Sequence, residues 1–263
     1  MAIYINDSNA VKEQYSSSGS LSTRISIHDK YSTNKTGFGN WIFSNYDIRE
    51  GMKVLELGCG TGSMWKGHED VIGACGELVL SDFSEAMVEK AKETIGEYPN
   101  VTYKQIDIMD IPFEDDAFDV VIANMMLYHV PDISRGLKEV RRVLKADGNF
   151  YCATFGIHGI MEYISGLLSE YGVKDETSRV FTLQNGEEVL GEVFADIRRE
   201  DYIDSLAVTD VDDMVSYIYS LKSMTTLTSI PRGVIRDKLK EHMKDGVLNV
   251  PKEYGMFIAG GAR

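Results

Sequence analysis

Val54-Leu55-Glu56-Leu57-Gly58-Cys59-Gly60-Thr61-Gly62 decides the fold. An apolar run of one strand's length leads straight into three glycines at alternate positions. That spacing lets the backbone turn sharply and approach a bound molecule where any Cβ would collide. The segment therefore reads as a buried strand, a ligand-binding turn and the start of a helix. A dinucleotide site would want GxGxxG, whereas here the third glycine comes one residue early and Ser63 takes its place. No Gly-Lys-Ser/Thr ending follows, which excludes a phosphate-cradling P-loop.

Working outward, short apolar runs alternate with amphipathic stretches. Further strands are predicted over 77–81, 101–105, 118–123 and 148–154. A helix over 84–95 starts at Ser84 as its cap and turns Ala86, Met87, Val88 and Ala91 toward the sheet. A second, over 132–144, carries Ile133, Leu137, Val140, Val143 and Leu144 on one face. Strands alternating with helices imply an α/β fold, a mainly parallel sheet covered on both sides. Beyond Phe155 the pattern loosens into helices over 159–171, 187–193, 211–221 and 233–243. A sixth strand is expected within 201–208 and a last one over 254–259, closing the same sheet. Residues before 50 begin polar and become amphipathic over 25–48, which reads as an N-terminal helical cap. We divide the chain into a cap (1–45), a ligand-binding half (46–155) and a C-terminal half with helical elaboration (156–263).

Asp82 follows the second strand and Asp107 the third. In open α/β sheets ligands lie across the carboxyl ends of the strands, so both acids should converge on the glycine turn. An acid after the second strand suits ribose hydroxyls, and one after the third suits an amino donor such as that of adenine.

Composition bounds the rest. With 263 residues, 43% of them apolar, the chain can bury a sizeable core. Acids outnumber bases 41 to 27, a net charge of −14 that disfavours a sequence-independent grip on nucleic acid. Nearly all the excess lies in 104–119 and 187–213, which read as solvated faces or, for the second, as a rim that admits a cationic substrate. No apolar run reaches the roughly 18 residues of a membrane helix, and the start lacks the features of a signal peptide, so a cytoplasmic location is expected. Cys59, Cys75 and Cys152 are widely spaced and form no CxxC. No metal site is expected, because Asp115 and Asp116 lack the spaced partners of a calcium loop and the five histidines show no HxxxH pairing.

Four blocks, VLELGCGTG (54–62), LSDFSEAMVEKAK (80–92), DIMDIPFEDDAFDVVIAN (107–124) and LKEVRRVLKADGNFY (137–151), resemble the class I S-adenosylmethionine-dependent methyltransferases. The motif set resembles that of the small-molecule, ubiquinone/menaquinone-methyltransferase-like branch. The resemblance implies a Rossmann-like, doubly wound, seven-stranded sheet with an antiparallel last strand. It implies S-adenosylmethionine as cofactor, S-adenosylhomocysteine as product, and in-line methyl transfer to a small-molecule acceptor. Glu56 would orient the methionine end through the turn of Gly58, Cys59, Gly60 and Gly62. Asp82 would take the ribose hydroxyls with Phe83 beside the adenine, Asp107 would accept from the adenine amino group with Ile108 packing nearby, and Asn124 would contact the aminocarboxypropyl group. The string RISIHDKYSTNKTGFGNWIF (24–43) is similar to a cap that closes over the cofactor, where the Tyr31 phenol could reach its carboxylate. His129, just after the fourth strand, is a candidate general base and His28 a second one. A protein or peptide acceptor, or a non-catalytic cofactor-binding protein of the same fold, are the alternatives.

Overall fold

In the computed structural model, residues 18–221, 227 and 229–262 are described. The chain runs α1 (Ser18–Tyr31), α2 (Phe38–Ser44), β1 (Lys53–Leu57), a 3-10 turn (Ser63–Trp65), α3 (Glu69–Ala74), β2 (Glu77–Asp82), α4 (Glu85–Ile95), β3 (Val101–Gln105) and β4 (Phe118–Ile122). A second 3-10 turn (Leu127–His129) leads to α5 (Ile133–Val143), β5 (Leu144–Phe155), α6 (Ile160–Leu167), α7 (Gly186–Leu190), β6 (Phe194–Tyr202), β7 (Ser205–Val208), α8 (Val211–Ser220), α9 (Arg232–Glu241), β8 (Leu248–Pro251) and β9 (Tyr254–Ala262). No described helix is long and apolar enough to cross a membrane.

Seven strands form one sheet in the order β3-β2-β1-β4-β5-β9-β6, while β7 and β8 pair separately. β9 is antiparallel to both its neighbours and the remaining pairs are parallel. The sheet is the mainly parallel, doubly wound one expected, with its last strand reversed. β1 lies between β2 and β4, so the chain order reverses at its carboxyl end and opens a crevice there. Strand alternation serves both faces. Leu55, Leu57 and Val121 join one core with Leu137 and Val140 of α5, whereas Val54, Val120 and Ile122 join another with Ile42 and Trp65.

A third core is built away from the main sheet. Ile27 and Tyr31 of α1 pack with Ile164 of α6, Leu206 and Val208 of β7, Met214 and Ile218 of α8, Ile235 of α9, and Val250 of β8. The first cap helix is thus held by the C-terminal elaboration. The second packs on the turn that follows the glycines: Phe43 meets Trp65 edge-on at 5.5 Å and stacks on His68 at 3.5 Å.

Several local expectations are corrected. The predicted strand at 201–208 is two strands in different sheets, β6 and β7, broken at Ile203-Asp204. β6 lies at the sheet edge with most side chains facing solvent, so its sequence, FADIRREDY, hides the alternation of a half-buried strand. β8 has no counterpart in the sequence reading, and β5 begins at Leu144, directly after α5. The Ser84 side chain makes no cap bond. Its backbone N–H instead donates to Asp82 Oδ1 at 2.8 Å. Only Val88 and Ala91 of α4 are buried, while Ala86 faces solvent.

Candidate functional site

The glycine turn leaves β1 with three residues in the left-handed region, Gly58, Gly60 and Gly62 at φ 73°, 55° and 74°. They are glycines for different reasons. A Cβ on Gly58 would lie 2.9 Å from Met126 Cγ, and one on Gly62 would lie 3.2 Å from the Ala91 backbone of α4. A Cβ on Gly60 would meet no atom within 4 Å. The middle of the turn therefore presents bare backbone to open space, the shape of a cradle for a molecule that comes into contact with the main chain.

Asp82 stands at its edge. One carboxylate oxygen accepts from Gly60 N at 3.0 Å and the other from Ser84 N at 2.8 Å. Burial pushes this carboxyl up in pKa, and the Ser84 and Gly60 amides oppose the rise. The Phe83 amide opposes the rise as well, and because a carboxylate has about four lone-pair sites, acceptor capacity remains beside these backbone donors for a hydroxyl. Cys59 N donates to Ser81 O at 2.8 Å, which ties the turn to β2, and burial drives the Cys59 thiol far above its ordinary range. Below the turn, Glu56 is buried and accepts from Trp65 Nε1 at 2.7 Å.

The other predicted residues after β2, β3 and β4 also lie past the carboxyl ends of their strands. Phe83 is half-buried, with its carbonyl accepting from Gln105 Nε2 at 2.9 Å. Asp107 Oδ1 accepts from Met109 N at 2.8 Å, which closes a tight turn, and Ile108 is buried in the α5-side core. The amide of Asn124 is engaged by the protein: Nδ2 donates to the Tyr46 hydroxyl at 2.5 Å and Oδ1 accepts from Ala153 N at 3.0 Å. Next to it, Met125 holds φ 53°, unusual for a residue with a side chain, and its N–H donates to Ala153 O at 2.8 Å. This geometry places Met126 over Gly58, so the β4 exit loop packs directly on the glycine turn. His129 lies in the following 3-10 turn, its ring 4.5 Å from Tyr128, which in turn packs at 4.6 Å on Phe155.

The two cap residues, Tyr31 expected at the cofactor and His28 as a second candidate base, both lie in contacts within the protein. Tyr31 is buried in the third core and donates its hydroxyl to Asp213 Oδ2 of α8 at 2.6 Å. His28 sits edge-on between the rings of Tyr217 and Tyr254, at 6.1 and 6.0 Å, with Nδ1 buried and without a described hydrogen-bond partner. Burial, helped by Lys252, lowers its pKa to about 4, so the imidazole is neutral near pH 7.

Sequence reasoning missed two features. Tyr46 gives no local signal, since only the fold brings it to Asn124. The other is a buried ion pair between Asp204 and Lys252, whose side chains are 0% and 2% exposed. Asp204 also accepts from Ser32 Oγ at 2.7 Å and Asn34 N at 2.9 Å, fastening the α1–α2 connection to the end of β6. Lys252 lies 5.2 Å from the Tyr254 ring centroid, and Phe38, Trp41 and Tyr202 pack around the same place.

Comparison with known proteins gives a consistent pattern. Residues 55–152 match the family model described as a methyltransferase domain. The demethylmenaquinone methyltransferase of Staphylococcus aureus strain MRSA252 is 40% identical over 111 residues, 42% of this chain and 46% of that protein. The matched region thus spans about half the length of the curated relative. Among solved structures, a putative methyltransferase from Bacillus halodurans C-125 superimposes with TM-score 0.59 at 17% identity, covering 86% of this chain and 99% of that one. Haemonchus contortus phosphoethanolamine N-methyltransferase 2, in complex with phosphomonomethylethanolamine and S-adenosylhomocysteine, gives TM-score 0.60 at 18% identity, covering 100% of this chain and 61% of that one. At these identities the structural likeness is one of fold.

Proposed function

We propose that this chain, whose residues 55–152 match a methyltransferase-domain model, is a class I S-adenosylmethionine-dependent methyltransferase that binds S-adenosylmethionine and directs its methyl group to a small-molecule acceptor. The observation that carries this reading is the open backbone at Gly60 with Asp82 clamped beside it. Bare N–H groups and a carboxylate with spare acceptor sites fit a ligand that combines a flat body with a ribose. We assign the ribose hydroxyls to Asp82, the adenine to Asp107 with Phe83 and Ile108 at its faces, and the methionine end to Glu56 and the turn Gly58–Gly62. Asn124 acts by holding the β4 exit loop and Tyr46 in place. We leave the Tyr31 phenol, which donates to Asp213, out of the cofactor set.

When bound, the cofactor supplies a methyl group already activated by a sulfonium centre. What remains for the protein is to align an acceptor in line with that carbon, to exclude water and to receive a proton where the acceptor has one to lose. The β4 exit loop and the aromatic residues Tyr128, Phe155 and Tyr254 border the place where such an acceptor would lie. His129 is our candidate for the proton, whereas the depressed basicity of His28 makes it a poor one. The name of the curated relatives, demethylmenaquinone methyltransferases, supports a small molecule over a peptide. Within the acidic block, Asp204 pairs with Lys252, Asp212 with Arg236 and Asp213 with Lys30, so these three acids already have basic partners inside the chain.

The test is transfer of a labelled methyl group from S-adenosylmethionine to two panels, hydroxylated aromatic and amine small molecules on one side and basic peptides on the other. Label in the small-molecule panel supports the proposal. Label only in peptides, or binding with no transfer to any acceptor, refutes it.

A further inference from the structure

Three parts of the molecule meet at Trp65. Its indole is 1% exposed and its Nε1 donates to Glu56 Oε2 at 2.7 Å. Phe43 of the cap helix α2 packs edge-on against it at 5.5 Å. Glu56 itself is 2% exposed, locked in register between Leu80 of β2 and Ile122 of β4, and its carbonyl accepts from Ser81 Oγ at 2.7 Å. A carboxylate buried this deeply normally has a cation beside it. Among the described ion pairs none involves Glu56. The ionisable groups that face it are Asp82 from β2, the Cys59 thiol in the turn and the Tyr46 phenol after α2. Asp82 is a second acid, and burial keeps the other two neutral. Among the described residues the cluster therefore holds two carboxyls and one indole donor, and no positive charge.

Resting on the assignment of the glycine turn to S-adenosylmethionine, we propose that Trp65 is a positioning residue. Its N–H fixes one oxygen of Glu56 so that the other accepts from the cofactor's ammonium group, and its contact with Phe43 ties that carboxylate to the cap. The ammonium is the missing charge, and α2 is the element that feels whether the carboxylate is correctly held.

The consequence is a pH dependence of binding. Burial pushes Glu56 up to about 7, Trp65 opposes the rise and Asp82 adds to it. Below that value Glu56 carries a proton that an ammonium ligand must displace, so affinity falls by about tenfold per pH unit on the acid side and is flat on the alkaline side as far as Glu56 is concerned. Removing the indole N–H lifts the carboxyl further and moves the break to higher pH.

The experiment is calorimetric titration of S-adenosylhomocysteine, which carries the same ammonium group, into the full chain from pH 5.5 to 8.5. Wild type, Trp65→Phe and Glu56→Gln are compared. Trp65→Phe keeps a ring against Phe43 and removes only the donor. Its break should move up by about one pH unit with about fivefold weaker binding at pH 7, and Glu56→Gln should lose the acid-side slope. The ligand's own titration is common to all three curves, so displacements between them belong to the protein. A Trp65→Phe curve that superimposes on wild type overturns the inference while leaving cofactor binding intact. No binding by wild type overturns the underlying assignment instead. Should Trp65→Phe fail to fold, 19F NMR of wild type labelled with fluorotryptophan gives an independent readout. The chain has two tryptophans, so Trp41→Phe assigns the signals. The Trp65 resonance should titrate near pH 7 in the free protein and stop doing so in the complex, and a resonance indifferent to pH contradicts the proposal.

Discussion

Replacing Asp204 by alanine removes the centre of the polar cluster that joins the cap to the C-terminal elaboration. The Lys252 ammonium would remain 2% exposed with its counter-ion gone, and Ser32 Oγ and Asn34 N would lose their acceptor. Breaking a buried pair by removing one partner costs about 3–5 kcal/mol, because an uncompensated charge is left inside. For a chain of this size that is a fall in melting temperature of about 6–20 °C. The complementary change, Lys252→Met, is milder. Asp204 would keep the Ser32 and Thr33 hydroxyls and the Asn34 and Ser205 amides, so the loss is about 1–3 kcal/mol. The assay is urea unfolding followed by far-UV circular dichroism and tryptophan fluorescence, with unchanged m-values required for the comparison. Acid adds a second check. Burial alone would push the Asp204 carboxyl up, but Lys252, Ser32 and Asn34 together hold it at about 2. Its folded pKa lies below the unfolded value of about 3.9, so its contribution is complete above pH 4 and disappears as pH falls through 2. The Asp204→Ala penalty should shrink over that window. An Asp204→Ala protein within about 1 kcal/mol of wild type at pH 7, or a Lys252→Met protein damaged as much, refutes the reasoning.

The remaining predictions separate binding from folding. Gly62→Ala forces a side chain into the left-handed region and against Ala91, and should destabilise by about 2–4 kcal/mol in urea melts. Gly60→Ala meets open space, so it should cost only about 1–2 kcal/mol of stability while weakening S-adenosylhomocysteine binding by more than about tenfold; equal effects at the two positions contradict the cradle. His28 has a folded pKa of about 4 against an unfolded value near 6.5, so the unfolded chain binds the extra proton between them and stability falls as pH drops through that window. Wild type should lose about 3 kcal/mol between pH 6.5 and 4 through this group, and His28→Gln, measured by the same melts, should lose correspondingly less.

The glycine turn was legible in the sequence because everything that makes it is local. An apolar strand, alternating glycines and an acid just past the next strand lie within 54–82, and short-range sterics dictate their conformation. The sheet's parallel core was legible for a similar reason, since strands buried on both faces read as apolar runs. β6 was not, because its exposed edge is covered by charges that pair along the strand, Arg198 with Glu200 and Arg199 with Asp201, and erase the alternation. Tyr31 shows the other kind of failure. The sequence suggests a phenol within reach of a cofactor carboxylate, whereas the carboxylate it meets in the fold is Asp213, remote in sequence and adjacent in the third core. The acidic block of 187–213 divides in the same way. Asp210 caps α8 through the Asp212 amide, and Asp204 is buried with Lys252, so a stretch that reads as one acidic face contains structural partners chosen by distant residues.

The central claim, that the turn after β1 with Asp82 at its edge holds S-adenosylmethionine, is tested most directly by titrating S-adenosylhomocysteine into wild type and Asp82→Ala in the calorimeter at pH 8. The account predicts a single site with micromolar affinity in wild type. In the variant, which loses both the acceptor for the ribose hydroxyls and the anchor of Gly60 N, binding should be weaker by more than about tenfold while the melt stays cooperative. No binding by wild type, or equal affinity in a folded Asp82→Ala protein, contradicts it.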